Sequence, residues 1–258
     1  MTDWNAQRYH HLSTPQQTWG MRVLERLPLA GSERVLDLGC GTGRLTQVIQ
    51  DRLPEGRVVG ADPSDAMIAS AALWLREHAP RASVVQADGA DLPFRRVFDA
   101  VFSGATFHWI LDHGALFRSI IGALKPGGRL VAQCGGAGNI AQLRGRADRL
   151  RESPRFASFF EDWTEPWYYA DVESSRRRLA AAGFVDVSVW LEAAPTTFPE
   201  AGAFRDFVAT VCVRHHVDRL PPPERKLFLA ELTLAAAEDL PPLTLDYWRL
   251  NIDARRPA

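Results

Sequence analysis

The segment from Arg34 to Gly43 constrains the fold of this chain more than any other. Val35, Leu36 and Leu38 read as a short buried strand, Gly39, Gly41 and Gly43 alternate directly after it, and a helical pattern runs from Leu45 to Leu53. Glycine suits such a hinge. Without Cβ it can take positive φ and let a ligand lie against bare backbone, while the helix start beyond it offers N–H groups to a carboxylate. A helix over Pro15–Leu27 leads into this unit, and the alternation then repeats. Arg57–Ala61 reads as a strand, Ser64–His78 as a helix capped by Ser64, and Ser83–Gln86 and Phe98–Phe102 as strands. Gly114–Leu124 reads as a helix stopped by Lys125-Pro126-Gly127-Gly128, and Arg129–Gln133 as a further strand. Strands separated by helices run parallel, so the spacing predicts an α/β fold with helices on both faces of the sheet and a ligand crevice at the carboxyl ends of the strands.

After Gly138 the pattern changes. It predicts a helix through Leu150, an aromatic stretch over Phe156–Tyr169, a helix over Val172–Ala182 ending at Gly183, and a strand over Val185–Leu191. Two amphipathic helices, Phe204–Arg219 and Glu224–Asp239, flank the break at Pro221, Pro222 and Pro223, and Tyr247–Asp253 reads as a final strand. The expected organisation is one domain over residues 1–258. Residues 1–30 form a helical cover, 31–137 a cofactor-binding core, and 138–183 with 195–243 a helical cap that roofs the crevice. With 30 basic and 31 acidic residues the net charge of −1 points to neither nucleic acid nor a membrane, which leaves small or protein-bound substrates; the expected partner is a small-molecule acceptor, and the expected state a monomer or homodimer. Cys40, Cys134 and Cys212 are odd in number and contain no CxxC pair, so no disulfide framework and no metal are expected, and a reducing cytoplasm is the natural compartment. No apolar run reaches the length of a membrane span, and Met1–Tyr9 does not read as an export signal.

Two carboxylates follow the glycine loop at the spacing that βαβ geometry sets. Asp62, ending the second strand, can accept from both hydroxyls of a ribose, and Asp88, after the third, can meet an adenine amino group with Gly89 and Ala90 offering backbone N–H. A nicotinamide dinucleotide would use a similar strand, loop and carboxylate. Its fingerprint places glycine at the first, third and sixth positions, whereas here Gly39, Gly41 and Gly43 alternate and Arg44 stands sixth.

At these residues the chain closely resembles the class I S-adenosylmethionine methyltransferases, and within them the bacterial trans-aconitate 2-methyltransferase family. The resemblance covers nearly the whole chain: Asp3-Trp4-Asn5 with Tyr9, the cofactor loop, Asp62–Met67, Phe98–His113, Gly127-Gly128, the aromatics around Tyr168-Tyr169, and Ala254-Arg255-Arg256. More distantly the chain is similar to the insect juvenile hormone acid methyltransferases, through Tyr9, Gln16 and His108-Trp109-Ile110. The resemblance implies a Rossmann-like seven-stranded sheet in the order 3-2-1-4-5-7-6 with the last strand antiparallel. It implies that Asp37, Gly39, Cys40, Gly41, Asp62, Pro63, Met67, Asp88, Gly89, Ala90 and the backbone near Ala105 hold the cofactor, with Tyr9 over its methyl end, and that Gln16 and Trp109 donate to a substrate carboxylate. The chain departs from these relatives at Gly104, His108, Cys134-Gly135-Gly136 and His215-His216.

A carboxylate acceptor, with a pKa near 4, is ionised at neutral pH and needs no general base; an alcohol, phenol or carbon acid does. Gln16 and the Trp109 indole suit the first case because neutral donors orient an anion. His108 is either a hydrogen-bonding wall residue or a base for the second. Trp163, Trp167, Tyr168 and Tyr169 either line a substrate pocket or pack as core, and Arg214 with His215 and His216 either meets a second carboxylate or is solvated helix charge. Two classes of function follow: an enzyme esterifying a small acid, or a cofactor-binding protein acting through a partner.

Overall fold

A computed structural model of the chain describes residues 14–258. Helix α1 (Thr14–Glu25) precedes β1 (Arg34–Leu38), after which α2 (Arg44–Asp51), β2 (Arg57–Asp62), α3 (Asp65–Trp74) and β3 (Ala82–Gln86) complete the first half. The chain continues through β4 (Phe98–Gly104), α4 (His113–Ala123), β5 (Leu124–Gly135), α5 (Ala141–Glu152), α6 (Val172–Ala182) and β6 (Val185–Ala193). A small ribbon of β7 (Thr196–Thr197) and β8 (Thr244–Leu245) encloses α7 (Ala201–Phe207), α8 (Arg214–Arg219) and α9 (Pro222–Ala237), and β9 (Trp248–Arg255) ends the fold. The main sheet has the order β3-β2-β1-β4-β5-β9-β6, with β1 to β5 parallel and β9 antiparallel to both β5 and β6. This is the expected order, with β9 as the seventh strand.

The period of two along β1 builds a layer on each face. Val35 joins Val23, Ile49 and Leu53 beneath α1 and α2, whereas Leu36 joins Leu116, Ile120 and Leu179 beneath α4 and α6. Each such side chain, fully buried, stabilises the fold by about 1.5–3 kcal/mol, and Ile49→Ala would remove about 2–5 kcal/mol. Local caps fix where helices begin and end. Ser64 Oγ accepts from Met67 N at 3.2 Å, Asp112 Oδ1 from Ala115 N at 2.9 Å, Asp171 Oδ1 from Ser174 N at 2.7 Å, and Gly183, at φ 97°, closes α6.

A third core, with Phe156, Phe160, Phe204, Phe207, Phe228 and Leu232, lies among α5, α7, α8 and α9 and constitutes the cap. Two expectations are corrected there. The segment Val172–Ala182, expected in the cap, packs its Leu179 into the sheet core beside α4. The single helix expected over Phe204–Arg219 is broken at Val208–Cys212 by a π turn, in which Val213 N–H donates to Val208 O at 2.9 Å. Thr210 Oγ1 donates back to Asp206 O at 2.8 Å, a local bond that competes with regular helix in a run rich in β-branched residues.

Candidate active site

The glycine loop folds back onto β2. Gly39 N–H and Cys40 N–H donate to Ala61 O at 2.7 and 3.1 Å, and Gly41 N–H donates to Asp62 Oδ2 at 3.0 Å. The other oxygen of Asp62 accepts from Ser64 N–H at 3.0 Å, so one carboxylate joins the loop to the start of α3. Gly39 is held at φ 76° where a Cβ would stand 2.0 Å from Thr106 Oγ1, whereas at Gly41, φ 53°, a Cβ would meet nothing within 4 Å. Gly39 thus serves close packing between the loops after β1 and β4, and Gly41 opens backbone to a ligand. Ser103 Oγ, donating to Leu38 O at 2.7 Å, ties the same two strand ends together.

A cavity of about 470 Å³ lies in front of this loop, a size that suits a nucleoside-bearing ligand. Of the expected cofactor residues, Gly39, Gly41, Asp62, Pro63, Met67, Asp88, Gly89, Ala90 and Ala105 all line it. Asp88 Oδ1 accepts from Ala90 N–H at 2.9 Å, which aims the carboxylate along the end of β3. Ile110 and Leu111 add an apolar wall opposite the acidic edge. Asp37 and Cys40 stand in a side chamber that shares Gly39, Gly41 and Gly104 with the main cavity and is closed by Gln16 and Gln17. Burial, aided by the nearby charge of Asp62, pushes the Asp37 carboxyl up to about 7 although Thr46 Oγ1 donates to it at 2.6 Å. A buried acid in that condition is a partner for a cation. Burial also raises the Cys40 thiol well above its ordinary range, so it is a neutral wall group. Tyr9 lies outside the described residues.

Beyond Ala105 and Trp109 a second, smaller cavity of about 30 Å³ lies between the sheet and the cap, with Gln16, His108, Asn139, Tyr169, Tyr247 and Arg249 on its walls. Ala105, a non-glycine residue at φ 59°, and the Trp109 ring border both cavities, which makes them the seam where two ligands would meet. A 3-10 turn over Phe107–Trp109 carries His108 and Trp109, and His113 anchors that turn through Nε2 and Phe107 O at 2.9 Å. Gly135 N–H donates to His108 Nδ1 at 3.2 Å, and the imidazole stacks on Tyr169 at 5.6 Å. Burial, with Arg249 and His113 nearby, holds the His108 pKa well below the ordinary histidine value, so the ring is neutral. Trp109 packs against Trp167 and His215 at 5.9 and 5.5 Å, so the cap sets its orientation.

Two expected substrate residues lie elsewhere. Tyr168 packs in the sheet core, its hydroxyl accepting from Arg178 at 3.0 Å, and the neighbouring Tyr169 faces the cavity instead. Consecutive residues of an extended segment face opposite ways, and the one-residue difference decides. Arg214 ion-pairs with Asp218 at 3.6 Å one turn along α8 and is not on the cavity wall. The arginine that is there is Arg249, 2 % exposed, with Nε donating to Gln133 Oε1 at 3.3 Å and its guanidinium 4.6 Å from the Trp19 ring centre. Sequence reasoning missed it together with Asn139 and Tyr247. The available signal was the polar alternation Arg249, Asn251, Asp253 along a strand whose other face is apolar.

The family model described as a methyltransferase domain matches residues 35–128. Trans-aconitate 2-methyltransferase of Methylobacterium radiotolerans is 31% identical over 94% of this chain and 92% of its own length, and that of Escherichia coli is 31% identical over 99% of both. Among solved structures, Haemonchus contortus phosphoethanolamine N-methyltransferase 2, in complex with phosphomonomethylethanolamine and S-adenosylhomocysteine, superposes with a TM-score of 0.64 at 19% identity. That similarity covers 98% of this chain and 57% of the nematode chain, and it shows the shared fold. With nearly full-length relatives at this identity, the chain belongs to the trans-aconitate 2-methyltransferase family and is an S-adenosylmethionine-dependent methyltransferase.

Proposed function

We propose that the enzyme methylates a carboxylate of a small, trans-aconitate-like organic acid, releasing a methyl ester. The observation that carries this is the opposite polarity of the two cavities that meet at Ala105 and Trp109. One is edged by Asp62 and Asp88 with Asp37 behind it, and the other contains Arg249. Acid on the donor side suits a ligand bearing an ammonium and a sulfonium, and a buried guanidinium on the acceptor side suits an anion. The names of the relatives, which are 31% identical, support the same class of acceptor.

The residues present fit the cofactor: a backbone cradle open at Gly41, a buried acid at Asp37, and carboxylates at the ends of β2 and β3. In this assignment Asp37 faces the amino-acid ammonium, Asp62 accepts from the ribose hydroxyls, and Asp88 meets the adenine amino group, with Met67 and Ile110 against the ring. Bound S-adenosylmethionine supplies an electrophilic methyl, and its transfer to a carboxylate oxygen forms one O–C bond, breaks one S–C bond onto sulfur and moves no proton. Gln16 and Trp109 orient the acceptor, and Arg249 balances its charge. Tyr169, Tyr247 and the π turn at Val211 and Cys212 exclude water, which strengthens each of these contacts.

Incubation with methyl-labelled S-adenosylmethionine and a panel of di- and tricarboxylic acids, alcohols and phenols tests the assignment. Label transfer to an acid supports it; transfer only to hydroxyl compounds, or to nothing despite cofactor binding, overturns it.

A further inference from the structure

We propose that His108 is a permanent hydrogen-bond donor to the methyl acceptor through Nε2–H, which makes it the residue that selects acceptors arriving already ionised. The inference rests on the carboxylate assignment above and adds a fixed tautomer to it.

Gly135 N–H points at His108 Nδ1 at 3.2 Å, and a backbone amide can only donate. Nδ1 must therefore keep its lone pair, and a neutral imidazole with an acceptor at Nδ1 carries its proton at Nε2. Nε2 is the ring's remaining polar atom, and the ring lines the acceptor cavity. To serve as a base, Nε2 would have to lose its proton while Nδ1 gained one, bringing two N–H groups head to head at Gly135. Protonating both nitrogens meets the same clash. Gly135 is held as the last residue of β5, paired with Arg249 of β9, so its amide does not turn away.

The surroundings act in the same direction. The ring is 8 % exposed, stacks on Tyr169 at 5.6 Å and packs at a tilt against Trp109 at 5.1 Å. The charged or titratable groups acting on it are Arg249 on β9 and His113 on α4, both of which disfavour an imidazolium. Tyr169, whose hydroxyl burial raises well above the ordinary tyrosine value, and Cys134 on β5, raised to about 12, are neutral neighbours. Desolvation, the largest influence on His108, also favours the uncharged ring. A donor of this kind stabilises an acceptor oxygen without removing a proton. It therefore serves a carboxylate and leaves an alcohol or phenol in its unreactive form.

The direct test is nitrogen-15 NMR of the whole enzyme labelled in histidine, with S-adenosylhomocysteine bound and the His108 signals assigned by their loss in His108→Gln. A pyridine-type Nδ1 and a pyrrole-type Nε2, unchanged from pH 5.5 to 8.5, are expected. A protonated Nδ1, or titration within that range, overturns the proposal whatever the acid panel gives. The kinetic arm compares two variants whose folding is checked by cofactor binding. His108→Phe, which has no donor, should lower kcat/KM for the accepted acid by about 10- to 100-fold. His108→Gln, whose amide can donate, should recover at least about tenfold over the phenylalanine variant. Equal loss in both variants, or a rate that in the parent alone rises with pH through a histidine-like pKa, would contradict the donor role. Methylation of phenols with no acid accepted would remove the carboxylate assignment even with the expected NMR signature, so the two failures are distinguishable.

Discussion

Gly41→Ala separates the backbone's contribution to the fold from its contribution to the ligand. The residue sits at φ 53°, and an added Cβ would meet nothing within 4 Å, so the protein itself has room for the methyl group. The cost to stability is the left-handed conformation alone, about 1–2 kcal/mol, and the enzyme should remain folded. If the cofactor lies against the loop as proposed, it fills the space in front of Gly41, and a methyl group forced into a packed contact costs about 1–3 kcal/mol, or about 5- to 150-fold in affinity. Gly39→Ala provides the contrast. Its Cβ would stand 2.0 Å from Thr106 Oγ1 and 2.5 Å from Thr106 Cβ, so no side-chain rotation relieves the overlap and stability should fall further than at Gly41. Urea unfolding gives the stability of each variant, and titration calorimetry with S-adenosylhomocysteine gives the affinity. If Gly41→Ala binds the nucleoside as tightly as the parent while losing stability as expected, the loop is not the cradle assigned here.

Arg249→Leu should raise the KM for the accepted acid and lower kcat/KM by at least about 30-fold, the cost of leaving a buried anion without its partner, with affinity for S-adenosylhomocysteine within about threefold of the parent; equal losses for both ligands would place Arg249 in the fold only. Asp37 has a folded pKa of about 7, raised above its unfolded value near 4, so its contribution to stability is lost as pH rises between those values. Binding an ammonium should restore the ionised form, and calorimetry at pH 6.5 in buffers of different ionisation enthalpy should show a proton released on cofactor binding, absent in Asp37→Asn. His216, 2 % exposed among Phe160, Trp163 and Phe228, is lowered by burial to about 3. Its folded value lies below the unfolded one, so the stability it contributes is present above about pH 6.5 and is lost as pH falls toward 3. His216→Phe should therefore unfold in urea much as the parent does at pH 7 and gain about 2–3 kcal/mol over it at pH 4.5; an unchanged gap at the two pH values would show that His216 is not buried neutral.

The donor side was legible in the sequence because its chemistry is local. Glycines at alternate positions, a carboxylate closing β2 and another after β3 lie at spacings that the βαβ path turns into one cavity edge. The acceptor side was less so. Gln16 and Trp109 were nominated by a family resemblance and His108 by its place after the fourth strand, and the cavity wall is completed by Asn139, Tyr247 and Arg249, the last of which reaches it through long-range pairing of β5 with β9. Tyr168 and Tyr169 differ by one step in an extended segment, and composition cannot tell which face of such a segment is the cavity. The helix expected through Arg214 is broken by the π turn at Val208–Cys212, and Val211 and Cys212 of that turn line the second cavity whereas Arg214 does not. No helix among the described residues is long and apolar enough to cross a membrane.

The most direct measurement of the central assignment is the chemistry of the transferred methyl. After reaction with methyl-labelled S-adenosylmethionine and a small polycarboxylic acid, the purified product is treated with mild alkali and analysed by mass spectrometry. A methyl ester returns the starting acid and labelled methanol, and this is the expected result. Label that survives alkali on an ether, amine or carbon, with no ester formed from any acid, would contradict methyl transfer to a carboxylate.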